Sequence, residues 1–285
     1  MLVVAIIRAR TNLGECGASR AVGVSGDQPT HSIAPLREPL MTSPRADNLL
    51  LAALPEDDFR FLEQHLQSYP LAHKAVLFAP GDAMKHVYFP CSGAVSLLPD
   101  MRKDLSIECA TVGRDGVLGA SAAFMNRPAV SQALVQCAGH SVRVTATHFR
   151  EMFAHSYSFR DLVFRFEEIL FVRAQQAAAR NTLHHVRSRM CRWLLEAHDK
   201  NGSTTIPVTR ELLARLLGVQ RTTITFVAKS LQRAGMISVR RGHVELFDLQ
   251  QLRDAACECY AAFGRIARRS LKNTRHRPSV RLRAC

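Results

Sequence analysis

The sequence contains no hydrophobic run long enough to cross a membrane. A membrane-spanning helix needs about 20 consecutive apolar residues, and no stretch of this chain approaches about 18. The apolar start, residues 1–7, is short and lacks the basic residue that precedes the apolar part of a signal peptide. We therefore expect no signal peptide, no membrane partner and a cytoplasmic location.

Closely spaced cysteine pairs are also missing. The chain has eight cysteines, but none of them form the Cys-x2-Cys spacing that is typical of zinc and thiol-redox motifs. We therefore expect reduced thiols and no metal site. The scattered cysteines are Cys16, Cys91, Cys109, Cys137, Cys191, Cys257, Cys259 and Cys285.

Acidic residues are scarce relative to basic ones. The 285 residues include 38 Lys and Arg against 24 Asp and Glu, which gives a formal net charge of +14. Such an excess favours a polyanionic partner, either nucleic acid or an anionic membrane surface. A hydrophobic content of 47% excludes a wholly disordered basic chain, and the length suggests about two domains.

The positive charge is concentrated toward the end of the chain. Residues 47–150 carry 9 basic and 10 acidic residues, whereas residues 183–241 carry 11 and 3. Residues 265–285 carry 8 basic and no acidic residues, with little apolar periodicity. We therefore expect a neutral first domain, a basic second domain, and a disordered basic tail over residues 261–285.

Hydrophobic periodicity divides the rest of the chain. Residues 1–46 have no sustained period, so we expect an extension that is disordered or not translated, with the natural protein starting at Met41. Residues 48–67 have the apolar spacing of a helix, with a break at Pro55. Short apolar runs spaced by about ten residues then predict a β-roll of jelly-roll type in a domain over residues 47–158. The predicted strands cover residues 75–78, 86–89, 94–98, 105–112, 133–137 and 141–144.

Residues 159–182 predict one long helix between the two domains. One side of this helix is apolar, and an exposed apolar stripe of that length favours pairing with a second copy of the chain. The alternative is that the helix packs on its own β-domain. The candidate dimerisation residues are Leu162, Phe166, Ile169, Leu170, Arg173 and Ala177.

The domain over residues 183–260 contains the pattern of a winged helix-turn-helix. Helical patterns at residues 210–217 and 221–234 are joined by a three-residue turn that contains Gly218. A hairpin with a basic tip follows, and such a hairpin is the wing of a winged helix. Its two strand patterns cover residues 236–239 and 243–247.

The second helix of the pair is the predicted DNA-reading element, because that helix enters the major groove and its first turns reach base edges. Arg221 is the candidate for a bidentate contact to guanine. Thr209 is the candidate N-cap of the first helix, whose N-terminus would hold a phosphate. The inward face is predicted to be Ile224, Val227, Ala228 and Leu231. The predicted DNA-binding residues are Thr209, Gln220, Arg221, Thr222, Thr223, Thr225, Phe226, Lys229, Arg240 and Arg241.

Short motifs in both domains match a known family. In the first domain they are Phe78-Ala79-Pro80-Gly81-Asp82, Val87-Tyr88-Phe89 and Ser92-Gly93-Ala94-Val95. In the second they are Leu213-Ala214-Arg215-Leu216-Leu217-Gly218-Val219 and Arg221-Thr222-Thr223-Ile224. With the order of the domains, these motifs resemble the Crp/Fnr family of bacterial transcription regulators, over residues 47–260.

The resemblance implies an α+β chain with a β-roll sensor, a dimerisation helix and a winged helix-turn-helix. It also implies a homodimer on a roughly palindromic double-stranded DNA site, with RNA polymerase as a further candidate partner.

The resemblance fails at the positions that would hold cyclic AMP. Members that bind this nucleotide use a Gly-Glu-Leu turn and a downstream Arg. Here Val117 stands in the place of that Glu, and Ser131 falls near the place of that Arg. We therefore do not expect cyclic AMP to bind in the usual way. The candidate effector pocket comprises Gly116, Val117, Leu118, Gly119, Ser131 and Gln132.

Other cofactors of the family are also weakly supported. The oxygen-sensing members use clustered N-terminal cysteines for an iron–sulfur centre, and this chain has only Cys16 there. Haem binding through His73 or His86 stays open, although a lone histidine is more often a surface or packing residue. The effector is therefore unknown from the sequence.

Two other functions stay open. A cupin-like metal enzyme needs a His-x-His pair, and the β-region has His86, His140 and His148 without such a pair. The sequence also lacks a Gly-x-Ser-x-Gly elbow, a P-loop and a Gly-x-Gly-x-x-Gly loop, so we do not expect an enzyme. The second alternative is an interaction module whose winged helix does not contact DNA, and salt-dependent binding to a duplex would separate the two.

Overall fold

The computed structural model describes residues 43–101 and 107–262. Short helices open the first of these stretches and pack against a β-roll. None of the helices within the described residues has both the length and the apolar character needed to cross a membrane. The opening helices are α1 (Pro44–Asp47), α2 (Leu49–Ala52) and α3 (Glu56–Glu63).

A buried asparagine fixes these helices on the β-roll. The side-chain oxygen of Asn48 accepts hydrogen bonds from the backbone N–H groups of Leu50 and Leu51, which caps α2. Its amide group donates to the backbone oxygens of Pro90 at 2.8 Å and Gly116 at 2.9 Å. Asn48 is therefore fully satisfied although it has no exposed surface.

Among the described residues, seven antiparallel strands and the short helix α4 (Ala120–Phe124) build the β-roll. One sheet has the strand order β1-β7-β3 and the other β2-β6-β4-β5. In the second sheet, Val95 lies opposite Val135 and Leu97 opposite Ala133. The strands are β1 (Gln67–Leu71), β2 (Val76–Phe78), β3 (His86–Pro90), β4 (Ala94–Pro99), β5 (Ala110–Val112), β6 (Ser131–Cys137) and β7 (Gly139–Thr145).

The corner between β3 and β4 requires glycine. Gly93 has a φ of +77°, and a Cβ atom there would lie 2.6 Å from the backbone oxygen of Cys137. Gly81 also has a positive φ, of +89°. Both glycines therefore adopt a backbone conformation that other residues rarely tolerate.

The long helix is α6 (Tyr157–Leu183), preceded by α5 (Ala146–His155). Its first half belongs to the core of the β-roll, where Phe159, Leu162, Phe166 and Ile169 are at most 3% exposed. The Phe166 ring lies so close to Gly116 that a Cβ atom there would be 2.0 Å from it. The alternative that this helix packs on its own β-domain therefore describes its first half.

The C-terminal domain is a three-helix unit with a small sheet of order β8-β10-β9 and a final helix. The helix-turn-helix pair agrees with the predicted bounds to within one residue. The buried residues of this domain form a second core around Trp193, which also includes Leu98 and Leu134 of the β-roll. The elements are α7 (Val186–Asn201), β8 (Thr205–Ile206), α8 (Arg210–Leu217), α9 (Arg221–Arg233), β9 (Ile237–Arg240), β10 (His243–Leu246) and α10 (Leu249–Ala255).

Several predicted bounds are wrong. The single helix over residues 48–67 is two short helices, and its last residue begins β1. The strand over residues 105–112 covers only Ala110–Val112 among its described residues, while residues 102–106 lie outside the described part. The sequence pattern Lys200-Asn201-Gly202-Ser203 indicates a loop, but its first two residues are the last turn of α7, which Gly202 ends with a φ of +66°.

The sequence patterns also miss β1, β8 and α10. Strand β1 contains Pro70 and mostly exposed residues, so it shows no apolar alternation. The predictions for residues 1–42 and for residues 263–285 lie outside the described residues.

Candidate DNA-binding surface and domain junction

The turn between α8 and α9 is built from local signals. The Thr209 hydroxyl accepts a hydrogen bond from the backbone N–H of Leu212 at 3.2 Å, so the predicted N-cap is confirmed. Gly218 ends α8 with a φ of +62°, a conformation that glycine adopts without strain. The predicted inward face of α9 is buried as expected, at Ile224, Val227, Ala228 and Leu231.

The outward face of α9 is largely exposed. Arg221, Thr222 and Lys229 are exposed, and the Phe226 side chain is 76% exposed. Arg221 forms an ion pair with Glu211, with Nε 2.7 Å from Oε1. The hydroxyl of Thr225 donates to the backbone oxygen of Arg221 at 3.0 Å. The remaining predicted residues Gln220 and Thr223 lie at the start of the same helix.

The wing closes a groove beside this helix. A depression of about 390 Å³ is lined by Thr209, Arg221, Arg240 and Arg241 of the predicted set, together with Arg210 and other residues. Arg240 Nε lies 3.8 Å from Glu245 Oε2, whereas Arg241 makes no hydrogen bond or ion pair with a described residue. The start of α8, the start of α9 and the wing tip therefore share one basic groove, which the sequence did not show.

The residues of the predicted effector pocket are mostly packing residues. Val117 and Leu118 are at most 1% exposed and belong to the β-roll core, and Gly116 is covered by Phe166. Gln132 accepts a hydrogen bond from Arg215 of α8 at 3.3 Å. The structure places the other two, Gly119 and Ser131, at the N-cap of α4 and the start of β6.

The two histidines considered for haem have ordinary environments. A ring nitrogen of His73 lies 2.8 Å from the backbone oxygen of Gln136. Burial and the neighbouring charge of Arg143 lower the pKa of His86.

The structure has a cavity elsewhere, at the junction of the β-roll, α6 and α7. We call it the junction cavity. It has a volume of about 520 Å³, and none of the predicted effector residues lines it. Its charged lining residues are Glu108, Arg114, Asp115, Arg173, Arg180, Arg192, Glu196, Asp199 and Lys200.

Most of the charged side chains in the junction cavity form hydrogen bonds or ion pairs. Arg173 donates to the Asp115 carboxylate at 2.6 Å, and Lys200 donates to the backbone oxygen of Thr111 at 2.6 Å. Burial alone would raise the pKa of Asp115, but the charges of Arg173 and Lys200 outweigh burial and hold this pKa well below its usual value. Burial and the charge of Arg173 lower the pKa of Lys200 to about 8.

Arg180 is the exception in this cavity. Its side chain is only 9% exposed, yet it makes no hydrogen bond or ion pair with any described residue. Burial and the charge of Arg192 lower the pKa of Arg180. The Nε of Arg192 is likewise buried without a hydrogen-bond partner in the described part of the chain. Buried guanidinium donors without partners are costly, so they favour a bound anion.

The wall of the junction cavity also contacts the helix-turn-helix. The backbone N–H of Glu108 donates to the backbone oxygen of Leu216 at 3.0 Å, and Trp193 Nε1 lies 3.4 Å from the Glu108 carboxylate. Ile107 packs so closely on the turn that a Cβ atom at Gly218 would lie 2.7 Å from it. The cavity wall and the end of α8 are therefore in direct contact.

A group of side chains that can hold a metal also occurs, although the cysteine spacing predicts none. His184, Cys257 and Cys259 bring one nitrogen and two sulfur atoms within 4.8 Å of one another. The sequence signal was missed because His184 lies more than seventy residues from the two cysteines.

Comparisons with known proteins agree with this architecture. The profile of the cyclic nucleotide-binding domain matches residues 70–156, and that of the Crp-like helix-turn-helix domain matches residues 188–255. No curated protein sequence matches the chain.

Solved structures share the fold. A Crp/Fnr-family transcriptional regulator from Eubacterium rectale aligns with a TM-score of 0.60 at 15% identity, over 74% of this chain and 98% of that one. CLP, the c-di-GMP-responsive global regulator of Xanthomonas campestris, aligns with a TM-score of 0.57 at 19% identity, over 68% and 100%. A Crp/Fnr-family regulator from Thermus thermophilus aligns with a TM-score of 0.56 at 19% identity, over 67% and 98%. With a cyclic nucleotide-binding domain followed by a Crp-like helix-turn-helix domain on this shared fold, the chain belongs to the Crp/Fnr family of transcription regulators.

Proposed function

We propose that this chain is a homodimeric, sequence-specific DNA-binding regulator whose activity responds to a small anionic effector. The basic groove carries the proposal, because it joins Thr209, Arg221, Arg240 and Arg241 along one surface. We assign residues 47–158 to the sensor, 159–182 to the dimer helix and 183–260 to DNA binding.

In this proposal Arg221 reads a guanine and the other groove residues hold phosphates. The Arg221 side chain is 65% exposed at the first turn of α9, where base edges are within reach. Its partner Glu211 is itself 58% exposed, so the pair opens at little cost when DNA enters. The exposed Phe226 ring is suited to an apolar contact with a thymine methyl group.

The dimer that we propose uses a different face of α6 from the predicted one. The predicted residues Leu162 and Phe166 are buried in their own β-roll, and Ile169 is only 3% exposed. Six of the exposed residues of α6 are instead spaced alternately by four and three positions, which is the spacing of a coiled-coil seam. This seam consists of Phe164, Glu168, Phe171, Gln175, Ala178 and Thr182.

Two exposed phenylalanines test the seam. Phe164→Glu with Phe171→Glu should convert the dimer to a monomer in sedimentation experiments, because charges would replace the apolar contacts. Phe247→Glu is the matched control, since Phe247 and Phe171 are 64% and 63% exposed. If the double variant stays dimeric, the seam is not the interface.

The effector site that we propose is the junction cavity. The usual cyclic AMP contacts are replaced by Val117 and Ser131, and Val117 is buried in the core. The unpartnered guanidinium of Arg180 supports an anionic ligand, and the contact of Glu108 with Leu216 connects the cavity to α8. Calorimetric titration with small phosphates and carboxylates tests this site, and Arg180→Met should abolish binding there.

Genome-wide mapping of bound DNA tests the function as a whole. The expected sites are roughly palindromic, with half-sites separated by one helical turn of about 34 Å. Binding to a selected site should weaken linearly as log salt rises, because phosphate contacts release counterions. Binding without sequence preference, or without salt dependence, would contradict the proposal.

A further inference from the structure

The end of the long helix and the end of the described chain meet at three metal-binding side chains. His184 follows the last residue of α6, and Cys257 and Cys259 follow α10. The Nε2 atom of His184 lies 3.5 Å from the Sγ atom of Cys259. Cys257 is 5% exposed and the His184 side chain is 20% exposed.

These distances agree with a tetrahedral zinc site. Zinc binds cysteine sulfur at about 2.3 Å and histidine nitrogen at about 2.0 Å, so adjacent ligand atoms lie about 3.5 Å apart. The third ligand atom is within 4.8 Å of the other two, and a small side-chain rotation would complete the arrangement. Two thiolates and one imidazole form a soft ligand set, which favours Zn²⁺ over Mg²⁺ or Ca²⁺.

A carboxylate is available for the fourth position. The Oε1 atom of Glu258 lies 3.4 Å from His184 Nε2, a separation that again matches two ligands of one zinc ion. The Glu258 side chain is 81% exposed, so it is free to turn toward the metal. Without it, water would take this position.

We infer that His184, Cys257 and Cys259 form a zinc site that ties the hinge of the protein to the C-terminal end of its DNA-binding domain. His184 is in an extended conformation between α6 and α7, with φ −110° and ψ 140°. His185, the next residue, is also extended, so these two residues are the break between the long helix and the DNA-binding domain. A metal at His184 restricts this break, because its other ligands lie beyond α10.

The consequence for DNA binding rests on the proposed function, whereas the metal site does not. In the dimer, the angle at the break sets the distance between the two recognition helices. Zinc would therefore hold one separation of the two α9 helices, and loss of zinc would release it. Occupancy of the site would thus tune the affinity for a DNA site of fixed half-site spacing.

Cobalt titration of the metal-free full-length chain tests the site directly. Co²⁺ in a tetrahedral thiolate site gives strong visible d–d bands and a sulfur-to-cobalt band in the near ultraviolet. We expect these bands to saturate at one Co²⁺ per chain and to disappear when Zn²⁺ is added. Octahedral cobalt spectra, or no saturation, would overturn the inference.

Variants identify the ligands. Cys257→Ser with Cys259→Ser, and separately His184→Gln, should remove the tetrahedral spectrum, while Cys109→Ser should retain it as the matched control. Glu258→Gln should weaken cobalt binding by about tenfold if the carboxylate supports the metal. Because Cys257 is buried, Cys259→Ser alone serves as a second variant that leaves the core intact, and circular dichroism confirms its folding. A tetrahedral spectrum that persists in the double cysteine variant would overturn the assignment.

The regulatory consequence has its own measurement. Adding Zn²⁺ should change the affinity of the wild-type protein for its mapped DNA site and leave that of the His184→Gln variant unchanged. A cobalt spectrum without any zinc effect on DNA affinity would retain the metal site and reject its control of the hinge. Absence of DNA binding with or without zinc would instead contradict the proposed function.

Discussion

Two ion pairs of nearly equal length lie in the two functional regions of this protein. In the basic groove that we propose for DNA binding, Arg221 lies 2.7 Å from Glu211, and the two side chains are 65% and 58% exposed. In the junction cavity, Arg173 lies 2.6 Å from Asp115, and the side chains are 7% and 24% exposed. The two ion pairs thus have similar geometry, but one is exposed to water and the other is mostly buried. We expect this difference in burial to determine what each pair does.

Exposure makes the groove pair replaceable. An ion pair in water contributes only about 0 to 1 kcal/mol, so a DNA phosphate can replace Glu211 without loss of fold stability. The junction pair is different, because removing one partner leaves a buried charge that water cannot solvate. The exposed groove pair is thus suited to the exchange with DNA that we propose, whereas the buried junction pair holds the β-roll against α6.

The largest difference between the two regions should appear in the free energy of unfolding when the acidic residue of each ion pair is neutralised. Asp115→Asn retains an acceptor for the backbone N–H of Gly113 but removes the carboxylate that neutralises the buried charge of Arg173, and we expect a loss of about 3 kcal/mol in the free energy of unfolding. Glu211→Gln, the matched change in the groove, should cost less than about 1 kcal/mol. Urea denaturation of both variants measures the difference. Equal losses would show that burial does not separate the two regions.

The basic side chains of the proposed DNA-binding surface should affect DNA recognition rather than the stability of the fold. Arg221→Ala should reduce discrimination between the mapped site and a site with a changed guanine by about 1 to 3 kcal/mol. Its free energy of unfolding should stay within about 0.5 kcal/mol of the wild type. Lys229→Ala is the control that weakens all DNA sequences alike, and fluorescence anisotropy with the two duplexes measures both. If Arg221→Ala weakens both duplexes equally, Arg221 contacts phosphate and not a base.

The elements that line the groove could be predicted from the sequence because their signals are local. Thr209, Gly218 and the apolar spacing of α9 each act within a few residues, so their structural roles follow from position along the chain. The wing tip at Arg240 and Arg241 follows from the same kind of pattern. What could not be predicted is that Glu211 pairs with Arg221 across the turn, since this depends on how α8 and α9 pack.

The junction could not be predicted, because its residues come from distant parts of the chain. Asp115 and Arg173 are ordinary charged residues in their own segments, and only the docking of α6 on the β-roll buries them together. The apolar stripe of α6 has a related ambiguity. Its spacing predicts that Leu162 and Phe166 are covered, but does not show that the chain's own β-roll covers them. Both the Asp115–Arg173 pair and the cover of the apolar stripe of α6 depend on tertiary packing, which the local sequence does not reveal.

The pH dependence of stability gives a third test of the junction. Burial and the charge of Arg173 lower the pKa of Lys200 from 10.5 to about 8. Between pH 8 and 10 the unfolded chain therefore binds a proton at Lys200 that the folded chain has lost, so this residue makes stability rise with pH, by up to about 1.4 kcal/mol per pH unit. Lys200→Met and Lys200→Arg should both lose this rise, since neither side chain releases a proton there. Urea denaturation between pH 8 and 10 measures this rise in stability. If the rise persists in either variant, another titrating group causes it.

The two arginines of the wing tip should show the smallest effect, and they sharpen the comparison within the groove itself. Arg241 makes no hydrogen bond or ion pair with a described residue, whereas Arg240 lies 3.8 Å from Glu245. If both contact phosphates, each change to alanine should reduce the slope of log K against log salt by about 0.9.

At a fixed salt concentration, however, Arg241→Ala should weaken DNA binding more than Arg240→Ala, because Glu245 already offsets part of the Arg240 charge. Glu245→Gln should then strengthen binding in the wild-type background and have no such effect in Arg240→Ala. Unchanged salt slopes in both arginine variants would place the wing away from the DNA backbone.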